Sequence, residues 1–142
     1  MIYLFVPLIA LVVTHILKFA VFVWRKRNFV GNRVWWSFFW LGSFPSVHSA
    51  TLTSILYLIW WSQGFTALFG FALIVSIILI YGLLEDNKRQ VLYEHYFSSS
   101  KNEALVKISQ DGILMDFSGH TLLEMVSGGI IGVLVAITAL HF

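Results

Sequence analysis

The chain has 142 residues, of which 58% are hydrophobic and only 11% charged, with a formal net charge of +2 and no cysteine. A soluble domain carries roughly 25% charged residues, so this composition excludes an ordinary aqueous globule, a disordered segment and a nucleic-acid-binding arm. Lack of cysteine also removes disulfides, thiolate nucleophiles and thiolate metal sites, which leaves an all-α integral membrane protein of one domain.

Crossing about 30 Å of hydrocarbon takes about 20 mostly apolar residues in a helix. Four stretches answer to that, at residues 2–24, 46–61, 65–84 and 121–140, and they predict a bundle of four transmembrane helices. The first is too long for a signal-peptide core and lacks a small-residue cleavage site, so it is expected to be retained. It carries Lys18, whose long stem would let the ammonium reach the inner interface. Arg25 follows seven residues later, two turns along the same face. His15, three residues before Lys18, is expected to make a polar contact inside the bundle.

The next segment, 25–45, holds Arg25-Lys26-Arg27 and Arg33. Within it the run VWWSFFWL at 34–41 is aromatic-rich and too short to span, which predicts an interfacial or re-entrant segment. The turn Ser62-Gln63-Gly64 between the second and third spans has no charge, whereas 85–120 carries Lys88, Arg89, Lys101 and Lys107. In that loop Ser98-Ser99-Ser100 reads as a break, and Glu103 to Ile108 as a helix lying on the inner surface. Basic residues stay on the cytoplasmic side. Both charged loops are therefore expected inside and both termini outside, in a bacterial inner (plasma) membrane.

Two helix starts hold more than their folding requires. Ser43-Phe44-Pro45-Ser46-Val47-His48-Ser49 opens the second span with ordinary start signals, but those do not account for His48. Ser118-Gly119-His120-Thr121-Leu122-Leu123-Glu124 opens the fourth, and Thr121-x-x-Glu124 reads as a capping box. His120 and Glu124 are also four apart on one helix face, where a carboxylate can orient an imidazole. In this topology both histidines lie at the inner face, near Lys18, Arg25, Glu85, Asp86, Lys88 and Arg89. A histidine backed by a carboxylate serves as nucleophile, general base or metal ligand. Cations and helix N-termini suit a phosphoryl group. A divalent metal on His48, His120, Glu124 and Asp86 is the alternative, and a serine hydrolase built on Ser46 or Ser49 a third. The spacing matches no recognised metal motif and the cations would repel a metal, so phosphate is the better fit.

Lys18-x6-Arg25, Pro45-Ser46-Val47-His48 and His120-x3-Glu124 together resemble the three ordered motifs of the type-2 phosphatidic acid phosphatase superfamily, which also includes the vanadium-dependent haloperoxidases. Pro45-Ser46-Val47-His48-Ser49-Ala50 and Gly119-His120-Thr121-Leu122-Leu123-Glu124-Met125 are similar to signatures of its small divergent, haloperoxidase-related branch. The resemblance implies that His120 attacks phosphorus, Glu124 orients it and His48 protonates the leaving group. It further implies that Ser46, Lys18 and Arg25 hold the phosphoryl oxygens, that no metal or cofactor takes part, and that vanadate mimics the transition state. The substrate so implied is a lipid phosphate among membrane lipids, acted on at the cytoplasmic leaflet. The chain departs from the superfamily pattern at Lys26, usually Pro, at Val47, usually Gly, at Glu124, usually Asp, and at Leu114, usually Arg. Arg89 or Arg33 is the candidate substitute for that arginine. The superfamily core has six helices, so a homodimer would complete the bundle, and the Gly128-x3-Gly132 step fits either such a dimer or packing within one chain. The rival functions are a non-catalytic phospholipid-binding or lipid-transport protein and an assembly subunit of a membrane complex.

Overall fold

The computed structural model describes residues 1–25, 44–103, 106 and 120–141. The aromatic segment expected at 34–41, most of the surface-lying segment at 103–108, Arg33 and Leu114 lie outside those residues. The described chain is four helices, α1 (Ile2–Arg25), α2 (Val47–Gln63), α3 (Ala67–Ser98) and α4 (Leu122–His141). Described residues contain no strand.

Each helix begins and ends where local chemistry dictates. Ser46 caps α2, its hydroxyl oxygen accepting from the Ser49 N–H at 3.4 Å. Gly64 ends that helix at φ 69°, a backbone state that glycine adopts without steric cost, and its N–H donates to the Trp60 carbonyl. Thr66 caps α3 by accepting from the Phe69 N–H. The capping box at α4 forms in both directions: Thr121 N–H donates to Glu124 Oε2 at 3.0 Å, and Glu124 N–H to Thr121 Oγ1 at 3.4 Å.

Ile2–Val21 of α1, α3 and α4 are each long and apolar enough to cross a membrane. The 17 residues of α2 extend only about 25 Å. α2 is also the hub of the packing: its broadest contact is with α4, followed by α1 and then α3, while α1 and α4 also touch. The short, hydroxyl-rich helix is thus the one shielded by its neighbours. Small residues let the backbones close up, with Ala10, Ala50, Ser49, Ser54, Gly128, Gly132 and Ala136 all buried. Val6, Leu58 and Ala136 form the apolar core. Buried hydroxyls bond backward along their own helices, as Thr14 does to the Ala10 carbonyl and Ser76 to that of Ala72.

α3 does not stop at residue 84, where the apolar run ends, but continues to Ser98. Residues 85–97 contain neither Gly nor Pro, and Lys88 pairs with Glu85 at 2.8 Å one turn back. The helix ends where Ser99 turns both its hydroxyl and its N–H onto the His95 carbonyl.

The Gly128-x3-Gly132 step is spent inside the chain. A Cβ on Gly128 would lie 2.1 Å from the Ser46 carbonyl oxygen, and one on Gly132 2.0 Å from that of Ala50. Both glycines therefore face the α2 backbone and are closed to a second copy.

Candidate active site

The antiparallel run of helices brings the C-terminal half of α1 and the N-termini of α2 and α4 to one end of the bundle. His48 sits in the first turn of α2 and is exposed, whereas His120 immediately precedes the α4 cap and is 4% exposed. Their rings are 5.4 Å apart between centroids at 55°, and His48 Nδ1 is 3.2 Å from His120 Nε2. On the other side of His120, Nδ1 lies 3.4 Å from Glu124 Oε2. The His120 backbone N–H donates to the Leu83 carbonyl of α3 at 3.2 Å, so a third helix fixes the same residue.

The hydrogen-bond pattern assigns the protons. A carboxylate only accepts, so His120 carries its proton on Nδ1, toward Glu124. Nε2 then bears the lone pair, and His48 Nδ1–H is the donor to it. Glu124, His120 and His48 thus form a line in which Nε2 of His120 carries the lone pair that faces His48. Glu124 serves at once as helix cap and as imidazole partner through Oε2. Burial holds the His120 imidazole below the ordinary histidine range, and the neighbouring His48 adds to that while the Glu124 carboxylate opposes it. The three side chains bond to one another in series, which leaves them no common point for a metal ion. No group of three His, Asp or Glu able to hold one occurs among the described residues.

Lys18 lies against this line. It is 8% exposed, so its ammonium does not escape to solvent along its stem. The charge of Glu124 reaches it, and its own reaches both histidines. No hydrogen bond or ion pair holds it among the described residues. A buried cation without a direct partner is costly unless an anion completes the site. Ser46, two residues before His48, is fully buried, and its backbone N–H donates to the Glu124 carbonyl at 3.0 Å, joining α2 to α4.

The other sequence candidates are placed less centrally. Arg25 is the last residue of α1, and its side chain lies outside the described residues. Arg89 is exposed on α3, six residues beyond Leu83, and its charge reaches Glu85. His15 is half-buried one turn before Lys18, its Nδ1 3.3 Å from the Leu11 carbonyl, and its field reaches His48. Two contributors carry no recognisable sequence signal: the Leu83 carbonyl that anchors His120, and Met125, whose sulfur accepts from the buried Ser49 hydroxyl.

The model of the family described as "Divergent PAP2 family" matches residues 2–135 of this chain. No curated protein and no solved structure gives a significant match.

Proposed function

Since the chain belongs to the divergent PAP2 family, we propose that it hydrolyses a phosphomonoester or pyrophosphate carried by a lipid, through a phosphohistidine intermediate. The observation that carries this reading is the Glu124–His120–His48 line, flanked by the buried cation Lys18, which has no hydrogen bond or ion pair among the described residues. His120 Nε2 attacks phosphorus while the bond from phosphorus to the leaving oxygen breaks, and His48, entering the step as imidazolium, gives that oxygen a proton and becomes neutral. Water then surrenders a proton to His48 and attacks the phosphohistidine. The N–P bond breaks and inorganic phosphate leaves. Lys18, Arg25 and the Ser46 hydroxyl hold the phosphoryl oxygens, and Arg89 is the candidate for the place that Leu114 leaves without an arginine. Charge stabilisation of this kind supplies most of the catalysis in phosphoryl transfer.

We read α2 as the fourth crossing, with both termini outside and the site at the cytoplasmic leaflet of the bacterial plasma membrane. There a phosphate meets the histidines while its hydrocarbon tail stays in the bilayer. Phosphate release by purified protein in mixed micelles, across a panel of lipid phosphates and with vanadate as inhibitor, tests the reading. Vanadate-sensitive turnover on at least one lipid is expected. Leu114, in the place of a superfamily arginine, favours as second reading a lipid-phosphate-binding protein without turnover, for which the same panel gives binding and no release.

Two further results are expected. Glu124→Gln keeps the helix cap, because glutamine also serves at that position of a capping box. Its amide oxygen takes the Oε2 place against both Thr121 N–H and His120 Nδ1–H, so the tautomer holds while the negative charge beside the imidazole is lost. Turnover falls by roughly 10²- to 10³-fold, the scale on which one electrostatic partner of a transition state acts, while the melting temperature holds and imidazole ¹⁵N shifts keep the proton on Nδ1. The second concerns pH. A nucleophile held below the ordinary histidine pKa of about 6.5 stays unprotonated to lower pH. kcat/KM therefore falls with decreasing pH only below that value. A pH profile with the acid limb above it contradicts His120 as the free-enzyme nucleophile.

A further inference from the structure

The resting geometry leaves no room for the reaction it is shaped for. A phosphoryl group in near-attack position needs about 3–3.5 Å from nucleophile to phosphorus, and a further hydrogen bond of about 2.6–3.2 Å from leaving oxygen to general acid. The two imidazole nitrogens must therefore stand at least about 6 Å apart, and here they are 3.2 Å apart. Among the described residues it is His48 that covers Nε2 of His120. Something has to move by about 3 Å, and there are two ways to do it: α2 and α4 part at this end, or the His48 ring swings away.

The packing of the two helices opposes the first. The Gly128 and Gly132 contacts place α4 directly on the α2 backbone at Ser46 and Ala50. The Ser46 N–H is bonded to the Glu124 carbonyl at 3.0 Å, two residues from His48. Farther in, Ser49 bonds to Met125 and Thr53 to the Gly129 carbonyl. A 3 Å separation breaks all of these and uncovers small buried residues. The second needs only a side-chain rotation. His48 is exposed, its backbone is fixed by the cap, and a step between staggered χ1 wells carries an imidazole nitrogen several ångströms. His120, pinned through both ring nitrogens and its backbone N–H, is the stationary partner.

We infer that His48 is a gate as well as a proton carrier: its ring lies over Nε2 of His120 and swings out over a fixed α2–α4 frame to admit the phosphoryl group. The inference rests on the phosphatase reading for the group admitted. The closed contact and the fixed frame stand without it.

The absence of native cysteine allows a direct test. An ideal Cβ on Gly129 lies 3.4 Å from Thr53 Cγ2, so Thr53→Cys with Gly129→Cys places two thiols within disulfide reach across α2 and α4. The probe is diethyl pyrocarbonate, a small electrophile that acylates imidazole nitrogen, with the His120 peptide followed by mass spectrometry in detergent micelles. His120 should acylate at the same rate, within about two-fold, in the oxidised and reduced forms of the double variant. That is the behaviour of a fast side-chain motion independent of helix separation. His48→Ala should raise the rate about five-fold, the weight of one hydrogen bond. Protection of His120 by oxidation that reduction reverses would overturn the gate, because the helices would then have to part. So would an unchanged rate in His48→Ala. Acylation needs no turnover, and phosphate release from the same samples reports separately on the phosphatase reading.

Discussion

His120→Ala is expected to reduce phosphate release by roughly four orders of magnitude or more, the scale on which loss of a nucleophile acts when it works as one unit with its neighbours. The reason is the position of Nε2. It is the His120 ring nitrogen that carries the lone pair, directed away from the carboxylate and toward His48. Alanine preserves the backbone N–H that bonds to Leu83, and Lys18 and Ser46 keep their positions, so lipid-phosphate binding should survive in part. His48→Ala loses only the acid and base steps and should fall by roughly 10²- to 10⁴-fold. Parallel assays of turnover and of vanadate binding distinguish loss of the nucleophile from loss of the fold. Equal residual turnover in wild type and His120→Ala removes His120 from the chemistry.

The second large effect is structural. Gly128→Ala places a methyl 2.1 Å from the Ser46 carbonyl oxygen, and that oxygen belongs to the α2 backbone and cannot rotate away. α2 must shift, which breaks the Ser46–Glu124 bond and carries His48 off His120. Overpacking of this kind costs about 1–3 kcal/mol and occasionally more, and the backbone contact puts Gly128→Ala at the upper end. Gly82→Ala is the contrasting case. Nothing lies within 4 Å of a Cβ there, so the variant should gain about 0.5–1 kcal/mol from helix propensity alone. Thermal unfolding in detergent should rank Gly128→Ala well below wild type and Gly82→Ala slightly above it. Activity should follow the first variant's loss and be indifferent to the second.

The apolar runs were legible because lipid imposes so simple a requirement: a helix must satisfy its own backbone and show apolar side chains outward. Residues 2–24, 65–84 and 121–140 meet it and became α1, the first part of α3, and α4. The chemical residues were legible for the opposite reason. His48, His120, Glu124 and Lys18 are expensive in or beside a span, so each required an account. Their convergence then followed from helix direction alone.

What stayed hidden depended on pairwise geometry. Gly128-x3-Gly132 announces close approach but not the partner, and only the α2 backbone at Ser46 and Ala50 identifies it. The central position of α2 follows from side-chain hydroxyls that bond back along their own helix. In sequence, Thr51, Thr53 and Ser54 only make it look less apolar. The anchoring of His120 by Leu83 runs through a main-chain carbonyl, which any residue supplies. α3 runs past residue 84 because hydropathy reports where lipid contact ends, whereas a helix ends only at a breaker or a competing cap.

The central claim is that phosphorus is transferred to His120, and a quenched-flow trap tests it most directly. Purified protein is mixed with the lipid phosphate that turns over fastest, quenched in alkali, where phosphohistidine survives, and digested for mass spectrometry. The expected result is a phosphoryl group on the His120 peptide in the wild type, localised to that imidazole and absent from His120→Ala. Phosphoryl label on another residue, or turnover that persists in His120→Ala, would contradict it.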